Sequence, residues 1–418
     1  MDYNETIEYI HNIPKFSRVL GNDMLRALLE KMDDPQKQLK FIHIAGTNGK
    51  GSVSTMVSQT LINAGFKVGL FTSPYLERFN ERIRINGIPI PDFDLAQTAT
   101  YVRYISEKYD AAVSEFAFDT AVAFEYFKNN KCDFAVIEVG LGGKLDATNV
   151  IESSVVTGMT AIGYDHCRYL GSTIDEISMN KLAIVKQGTP TVLYPLQEPI
   201  VFKNAEAVCR RMCSELIIPK APADYHNRSF VYDSKRYHLG MYGKFQMYNA
   251  ATAIEIIKVI RKSGYNISEA DLEKGLAAAK INGRFEFILP NLIIDGAHNP
   301  SAVSSLLSSL EAFSKKINFL IAVMEDKDCS AIAKHISEFV KQTSSCVTVT
   351  ELDMPRCIPS PELGRIFKEY DVNTQVIKNP KKAIDCIIKS TGSDELICVA
   401  GSLYLAGEIR KYLSSRIK

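Results

Sequence analysis

The sequence predicts an α/β protein of two domains, each built on a mainly parallel sheet. Short apolar or β-branched runs alternate along the chain with longer segments of helical periodicity, a pattern that favours parallel strands covered by helices on both faces. A length of 418 residues fits two or three domains. Hydrophobic residues make up 46% of the chain and charged residues 23%, which excludes a disordered chain and supplies enough apolar surface for a core.

The predicted strands recur at intervals that leave room for helices between them. They are residues 41–45, 68–71, 134–139, 155–157, 191–193, 292–295, 319–323, 347–350 and 396–400. The helical patterns include residues 119–128, 250–263, 269–280 and 300–315. We therefore interpret the chain as a succession of β–α units.

A domain boundary is predicted near residues 284–291, where one helical segment has ended and a new strand begins. The N-terminal domain then covers residues 1–287 and the C-terminal domain residues 288–418. A length of about 130 residues fits a small doubly wound, Rossmann-like α/β domain. The N-terminal part is large for a single sheet, so we expect it to carry a subsidiary sheet or long loops.

Charge and composition exclude several classes of partner. The 49 basic residues nearly balance the 48 acidic ones, so no global field recruits nucleic acid or an anionic membrane. The best apolar run, residues 319–324, is far below the roughly 18 residues of a membrane span. The N-terminal segment carries Asp2, Glu5 and Glu8 and does not resemble a signal peptide. The nine cysteines form no CxxC pair, and we expect reduced thiols in a cytoplasmic protein.

A glycine-rich turn lies between the first predicted strand and a helical pattern, in the string Gly46-Thr-Asn-Gly-Lys-Gly-Ser52. Such a turn lets backbone N–H groups surround phosphate oxygens, while Lys50 supplies charge and the Ser52 hydroxyl faces Mg²⁺. Ile44 replaces the first glycine of the usual pattern and Gly51 separates the lysine from the serine, which disfavours generic GTPases and kinases. The alternative is a glycine turn with an exposed lysine.

We therefore expect the N-terminal domain to be of the P-loop ATPase type and to bind a nucleotide through this turn. The expected nucleotide-binding residues of the turn are Asn48, Gly49, Lys50, Gly51 and Ser52. Glu138 ends another predicted strand, and ligands of open α/β sheets lie at the carboxyl ends of strands. A carboxylate there is well placed to hold Mg²⁺. The alternative is a glutamate that caps a helix or forms a salt bridge.

Further strings follow in a fixed order over nearly the whole chain. They are Thr72-Ser-Pro74, Phe79-Asn-Glu-Arg-Ile83, Glu138-Val-Gly-Leu-Gly-Gly-Lys-Leu-Asp-Ala-Thr-Asn149, Gly163-Tyr-Asp-His166, Gly283-Arg-Phe-Glu286, Asp295-Gly-Ala-His-Asn-Pro300 and Gly401-Ser-Leu-Tyr404. Together with the phosphate loop, these strings resemble the folylpolyglutamate synthase branch of the Mur-ligase superfamily.

This resemblance implies an ATP-dependent amide ligase that extends the glutamate tail of reduced folates through γ-linkages. The family first makes an acyl phosphate, and some members also attach the first glutamate to dihydropteroate. The implied small molecules are ATP, Mg²⁺ (two ions), a reduced folate and L-glutamate. We expect a monomer, because no heptads or long exposed apolar stripe suggest assembly, and no nucleic-acid or membrane partner.

The resemblance also assigns roles to individual residues. The implied metal ligands are Ser52, Ser73, Glu138 and His166, and the implied catalytic residues are Lys50, His166 and Lys181. Lys181 aligns with a lysine that is carbamylated by CO₂ in the family. From the residues alone, His166 could instead be structural and Lys181 an ordinary surface lysine.

The remaining roles concern the nucleotide and the two other substrates. Asn249 resembles the residue that reads the adenine, and Arg284 and Asp295 resemble ATP contacts that would require the two domains to close. The implied substrate contacts are Leu145, Asp146 and Ala147 for the pterin-bearing substrate and His298 and Ser402 for the incoming glutamate. The alternatives are a turn former at Asp295 and helix N-caps at Asp146 and Ser402.

The chain departs from the family pattern at several positions. Ala117 replaces a glutamate, Tyr75 and Phe245 replace histidines, and Asn180 replaces the glutamate before Lys181, while Ile281-Asn282 replaces a common Trp-Pro. Because Ala117 lies in a segment that resembles the dihydropteroate contact, dihydrofolate synthase activity is less secure than polyglutamate synthesis. Two other interpretations stay open: the same ligase chemistry on a non-folate carboxylate, and a non-catalytic nucleotide-binding paralogue.

Overall fold

The structure is a computed structural model, and it describes residues 1–15 and 21–416. The chain divides into two compact units. The first comprises Met1–Gly163, Cys167–Gly240 and Met247–Lys280, and the second comprises Tyr164–His166, Met241–Gln246 and Ile281–Lys418. The expected domain boundary between residues 287 and 288 stays a prediction.

The main sheet of the first unit contains eight strands within the described residues. Its strands are β1 (Phe41–Ala45), β2 (Val68–Phe71), β3 (Ile83–Ile85), β4 (Ile88–Pro89), β5 (Phe134–Glu138), β6 (Val156–Met159), β7 (Thr191–Leu193) and β8 (Leu216–Ile217). They lie in the order β4-β3-β2-β5-β1-β6-β7-β8. All neighbours are parallel except the edge pairs β2–β3 and β3–β4. β1 is thus central, with β5 on one side and β6 on the other.

Helices cover this sheet, as the β–α alternation of the sequence predicts. They are α1 (Tyr3–Asn12), α2 (Asp23–Lys31), α3 (Lys50–Asn63), α4 (Asp92–Lys108), α5 (Glu115–Asn129), α6 (Cys167–Leu170), α7 (Ile174–Leu182), α8 (Pro199–Arg211), α9 (Gln246–Lys262) and α10 (Glu269–Ala278). Alternate residues of a strand point to the same face of the sheet. On one face, Phe41 of β1 and Ile137 of β5 share a buried cluster with Phe118 and Phe124 of α5.

A separate antiparallel sheet provides the subsidiary sheet expected for the large N-terminal part. It consists of β9 (Ala223–His226), β10 (Ser229–Tyr232) and β11 (Lys235–His238), with β10 in the middle. These strands were not predicted from the sequence, because only β10 is largely buried and the outer two lack a continuous apolar run.

The second unit is a doubly wound α/β sheet, as predicted. Its strands are β12 (Glu286–Leu289), β13 (Leu292–Ile294), β14 (Ile317–Ile321), β15 (Cys346–Val349), β16 (Thr374–Val376) and β17 (Leu396–Ala400), in the order β12-β13-β17-β14-β15-β16. Only β12 pairs antiparallel among the described strands of this sheet. The helices are α11 (Pro300–Glu311), α12 (Cys329–Thr343), α13 (Ser360–Glu369), α14 (Pro380–Ser390) and α15 (Leu403–Ser414).

The buried apolar strands were predictable to within a few residues. The strands predicted at residues 41–45, 68–71, 191–193 and 396–400 have the same bounds in the structure. The nine cysteines are free thiols. Among the described residues, none of the helices combines the length and apolar character that a bilayer crossing requires.

Candidate active site

The phosphate loop joins β1 to α3, as predicted, and at two of its positions steric hindrance favours glycine. Gly49 is the residue before α3 and has φ of 91°, a left-handed conformation that disfavours any side chain. A Cβ on Gly49 would lie 2.5 Å from Oδ1 of Asn249. A Cβ on Gly46 would collide with the side chain of Thr160. The loop therefore lies directly against Asn249, the residue expected to read the adenine.

Hydrogen bonds to the chain after β6 fix the first half of this loop. The amides of Thr47 and Asn48 both donate to the carbonyl of Ala161, at 2.8 and 3.1 Å. The Thr47 hydroxyl donates to the carbonyl of Gly163 at 3.0 Å. The amide of Asn48 therefore already has an acceptor within the protein. α3 begins at Lys50, and the amides of its first turn have no acceptor within the helix. These amides are the ones placed to bind a phosphate.

Lys181 is buried against the phosphate loop, which contradicts the alternative of an ordinary surface lysine. Its side chain is only 3% exposed, and its Nζ donates to the carbonyl of Gly46 at 2.9 Å. Thr173 and Glu176 form a capping box that fixes the start of α7, and Lys181 lies in the last turn of that helix. A Cβ on Gly143 would lie 2.7 Å from the carbonyl oxygen of Lys181, so the loop after β5 packs tightly on the same turn.

Glu138 and Ser73 meet at the carboxyl edge of the sheet. β2, β5 and β1 are parallel neighbours, so Ser73 after β2, Glu138 at the end of β5 and the phosphate loop after β1 all lie at one edge. Glu138 is 5% exposed, and one of its carboxylate oxygens accepts the amide N–H of Ser73 at 3.2 Å.

These groups fit Mg²⁺ better than a metal that needs a full protein cage. Among the described residues there is no cluster of three His, Cys, Asp or Glu side chains arranged around a metal position. Mg²⁺ is commonly held by one or two carboxylates together with hydroxyls, waters and substrate phosphates. Glu138 with the neighbouring Ser73, at the edge that carries the phosphate loop and Ser52, offers that kind of oxygen donor set.

The loop expected to contact the pterin-bearing substrate is organised by Asp146. This buried carboxylate accepts the amide N–H groups of Leu141 at 2.8 Å and of Thr148 at 3.0 Å, and it caps the short helical turn Ala147–Val150. Burial raises the pKa of Asp146, and these hydrogen bonds oppose the rise. The Asp146 side chain is thus a helix N-cap, which was the alternative role predicted for it from the sequence. Leu145, 54% exposed, is the one of the three expected contact residues whose side chain faces solvent.

In the second unit, His166 belongs to a polar cluster around Asp165. The Asp165 carboxylate accepts Nζ of Lys327 at 2.8 Å and Nδ2 of Asn299 at 3.0 Å, and Nε2 of both His166 and His298 lies 3.8 Å away. Burial alone would raise the pKa of Asp165, but His166 and Lys327 outweigh it and hold this pKa well below its usual range. Burial and the charge of Lys327 lower the pKa of His298 to about 4.

Three members of this cluster were not predicted as site residues: Asp165, Asn299 and Lys327. Asp165 and Asn299 lie inside two of the recognised strings, directly beside His166 and His298. Lys327 follows β14, and the carboxyl ends of parallel strands are where functional side chains collect. The position of Lys327 after a predicted strand could therefore have marked it as a candidate site residue.

Asp295 and Ser402 have local structural contacts in the second unit. The Asp295 carboxylate accepts the amides of Phe285 and Ala297, each at 2.7 Å. Burial raises the pKa of Asp295, and the charge of Arg284 opposes this. Ser402 caps α15 by accepting the amide of Tyr404 at 3.1 Å. Both side chains therefore adopt the turn-forming and capping arrangements that the sequence left open, while their contacts with substrates stay predictions.

A buried acid near Ala117 was also missed. Asp119, 1% exposed, lies two residues after Ala117 on α5, and its carboxylate is 3.7 Å from Nε of Arg82. Within the described residues, neither carboxylate oxygen of Asp119 nor Nε of Arg82 has a hydrogen-bond partner. The Arg82 guanidinium lies over the ring of Tyr75, one of the departures from the family pattern, at 5.2 Å from the centroid. Burial raises the pKa of Asp119 to about 7.

The fold and the phosphate loop define a protein of the Mur-ligase type. The family described as Mur ligase middle domain matches residues 44–257, and the family described as Mur ligase, glutamate ligase domain matches residues 283–403. Within this class, the chain belongs to the folylpolyglutamate synthase family.

Relatives and solved structures match over nearly the full length. The chain is 33% identical to folylpolyglutamate synthase of Lacticaseibacillus casei, with 99% of each chain covered. It is 31% identical to dihydrofolate synthase/folylpolyglutamate synthase of Bacillus subtilis, covering 98% of this chain and 99% of that protein. Folylpolyglutamate synthase of Mycobacterium tuberculosis complexed with ADP matches with a TM-score of 0.88, 27% identity and 98% coverage of both chains. The Thermotoga maritima folylpolyglutamate synthase matches with a TM-score of 0.82, 32% identity and coverage of 99% and 97%.

Proposed function

We propose that this protein is an ATP-dependent ligase that joins L-glutamate to the γ-carboxylate of reduced folates. The observation that carries the proposal is the carboxyl edge of the first sheet, where the phosphate loop, Glu138 and Ser73 meet and Lys181 supports the loop. This arrangement occurs in a chain that matches folylpolyglutamate synthases from end to end. A nucleotide site alone would fit many enzymes, and the full-length family match selects this reaction among them.

The reaction needs an activated acid, because a carboxylate does not react with an amine at neutral pH. Transfer of the γ-phosphoryl group from ATP to a folate carboxylate oxygen breaks the bond to the β-phosphate oxygen and gives ADP and an acyl phosphate. The amine of glutamate then attacks the acyl carbon, loses a proton and releases inorganic phosphate as the amide forms. The protein's task is to hold these groups in line and to exclude water.

The first unit supplies the groups for phosphoryl transfer. The amides at the start of α3 and the ammonium of Lys50 bind the phosphates, and Lys181 holds the Gly46 carbonyl so that the loop keeps its shape. Glu138, Ser73 and Ser52 would hold Mg²⁺. When bound, Mg²⁺ neutralises charge on the β- and γ-phosphate oxygens. Asn249, packed against Gly49, is proposed to read the adenine.

Carbamylation of Lys181 is part of the same proposal. A carbamate on Nζ would keep one N–H, and that N–H could still donate to the carbonyl of Gly46. The contact seen at 2.9 Å is therefore compatible with both the amine and the carbamate. The modified side chain would add an anion beside the phosphate loop, where a second Mg²⁺ could be bound.

Roles in the second unit follow the family pattern. We propose that Arg284 and Asp295 serve ATP, that His298 and Ser402 serve the incoming glutamate, and that His166 is a metal ligand. His298 is neutral at neutral pH, because its pKa is lowered to about 4. Its Nδ1 donates to the carbonyl of Gly296 at 2.8 Å, so its Nε2 can accept a hydrogen bond from the ammonium group of glutamate without repelling it.

The partners of this protein are small molecules. We infer a monomer in the cytoplasm that acts on a reduced folate, L-glutamate and ATP and binds neither nucleic acid nor membrane. The near balance of 49 basic and 48 acidic residues supports the absence of polyanionic partners.

A second activity, addition of the first glutamate to dihydropteroate, is a further candidate. The Bacillus subtilis relative is named for both activities. The glutamate of the family pattern is Ala117 here, but Asp119 places a carboxylate on the same helix, 3.7 Å from Arg82. Whether the protein accepts dihydropteroate is decided by the dihydropteroate lane of the experiment that tests the main proposal.

The test is a product-mass assay with parallel acceptors. The purified protein is incubated with Mg²⁺–ATP, L-glutamate and either tetrahydrofolate, methylenetetrahydrofolate or dihydropteroate, and phosphate release is followed together with product mass. Lys50→Ala should abolish product, whereas Lys262→Ala, at an exposed lysine at the end of α9, should not change it. A reduced folate that gains a glutamyl residue supports the proposal. Binding of ATP with no gain in any lane overturns it and favours a non-folate acceptor or a non-catalytic role.

A further inference from the structure

A buried histidine in the central strand of the first sheet contacts the loop that is proposed to bind the folate. His43 lies in the middle of β1 and is fully buried, with β5 and β6 on either side. Its Nε2 is 2.9 Å from the hydroxyl oxygen of Thr148. Thr148 belongs to the short turn Ala147–Val150, which Asp146 caps.

The direction of each hydrogen bond in this chain of groups follows from the donors available. Each oxygen of the Asp146 carboxylate accepts a backbone amide, from Leu141 and from Thr148, which favours the ionised form. An ionised carboxylate only accepts, so the single hydroxyl hydrogen of Thr148 is donated to Asp146, 2.5 Å away. Nε2 of His43 must then carry a hydrogen and donate it to the Thr148 hydroxyl oxygen. Burial and the nearby charge of Lys186 lower the pKa of His43 to about 3, so the ring is neutral and Nδ1 has no hydrogen.

Burying a histidine at position 43 lowers the stability of the fold compared with an aliphatic residue. Nδ1 of His43 has no hydrogen-bond partner among residues 1–15 and 21–416, and a buried unsatisfied polar atom destabilises a fold. The neighbouring positions on the same strand are Ile42 and Ile44, and an aliphatic residue at position 43 would avoid the cost. The polar contact to Thr148 is what the histidine gains in return.

We propose that His43 is a positioning residue for the folate acceptor. Through Thr148 it orients the Asp146 carboxylate, whose other oxygen holds the amide of Leu141. The loop from Leu141 to Thr148, with the exposed Leu145, is thereby fixed. β1 thus positions two parts of the site: the phosphate loop at its end, and the acceptor loop through the side chain of His43. This inference rests on the proposed folate ligase function and adds a residue to it.

The test compares variants that keep or remove the hydrogen-bond relay from His43 through Thr148 to Asp146. Thr148→Ser keeps the hydroxyl, and Thr148→Val keeps the shape but removes it. His43→Gln keeps a side-chain donor, and His43→Leu removes it. For each protein we would measure kcat, the KM for tetrahydrofolate, the KM for ATP, direct tetrahydrofolate binding and the urea unfolding midpoint.

The relay predicts a selective effect on the acceptor. Thr148→Val and His43→Leu should each raise the KM for tetrahydrofolate about tenfold, as expected for the loss of one well-placed hydrogen bond, with the KM for ATP within about twofold of wild type. Thr148→Ser should be close to wild type and His43→Gln intermediate. Because the two residues act in series, the double variant should be no worse than Thr148→Val alone.

Several outcomes would overturn the inference. One is an unchanged KM for tetrahydrofolate in Thr148→Val, and another is an equal rise in both KM values that follows the loss of stability, which marks a merely structural residue. If His43→Leu does not fold, the Thr148 pair decides the question alone. A wild-type protein that neither binds nor extends tetrahydrofolate contradicts the proposed function itself. An active wild-type protein whose variants have the same KM for tetrahydrofolate contradicts only the role of His43.

Discussion

Replacing Gly49 by alanine should weaken nucleotide binding, whereas the same replacement at a second left-handed glycine, at the other end of α3, should only destabilise the fold. Gly49 has φ of 91°, and a Cβ there would lie 2.5 Å from Oδ1 of Asn249. Gly65, at the other end of α3, has φ of 89° and nothing within 4 Å of an added Cβ. Gly65→Ala is therefore a matched control that has the same backbone strain without the collision.

The size of each effect can be worked out from this geometry. A left-handed conformation costs a non-glycine residue about 1–2 kcal/mol, so both variants should lose a similar free energy of unfolding. The atom that must move in Gly49→Ala is the end of the Asn249 side chain, so rotation of that side chain rather than a backbone shift relieves the collision. If Asn249 reads the adenine, that rotation removes a hydrogen bond to the base and raises the Kd for ATP about tenfold.

Titration calorimetry with a non-hydrolysable ATP analogue and urea unfolding of the two variants would separate these effects. The expected result is an equal loss of stability in both variants and weaker nucleotide binding in Gly49→Ala alone. Discrimination between ATP and a pyrimidine triphosphate should also decline in Gly49→Ala. Equal Kd values for Gly49→Ala and Gly65→Ala would refute the reasoning about Asn249.

Three further outcomes are expected. Because burial raises the pKa of Asp119 to about 7, the folded state keeps a proton that the unfolded state loses above its ordinary pKa. The free energy of unfolding should thus fall by up to about 4 kcal/mol between pH 4 and pH 7 in wild type relative to Asp119→Asn, as measured by urea unfolding. Lys181→Met leaves the Gly46 carbonyl without its donor and should cost about 1–3 kcal/mol of stability and weaken ATP binding in calorimetry. Glu138→Gln should raise the Mg²⁺ concentration for half-maximal activity about tenfold or more, with metal-free ATP binding unchanged.

The buried parts of the fold were the most predictable from sequence. Strands such as Phe41–Ala45 and Leu396–Ala400 are continuous apolar runs buried on both faces, and their bounds were predicted without error. The antiparallel strands Ala223–His226 and Lys235–His238 are mostly exposed or half-buried, so no apolar run marks them. Edge strands of this kind are set by pairing with a neighbour, which sequence periodicity does not reveal.

The site shows the same division between local and distant signals. The phosphate loop and Glu138 were found because strand ends and glycine spacing are visible in the sequence. The contact of Lys181 with Gly46 joins residues 135 positions apart, and the link between His43 and Thr148 joins residues 105 apart. No local pattern predicts such pairs. Asp146 illustrates the opposite case, since the capping alternative was readable from the sequence and describes its side chain in the structure.

The central claim is that a folate carboxylate is phosphorylated by ATP before glutamate attacks. The most direct measurement follows ¹⁸O from a reduced folate labelled in its γ-carboxylate during one turnover with ATP and L-glutamate. The account predicts that each glutamylated product is matched by one inorganic phosphate that carries a single ¹⁸O atom from the folate. Unlabelled phosphate, or phosphate release without a glutamylated product, would contradict the account.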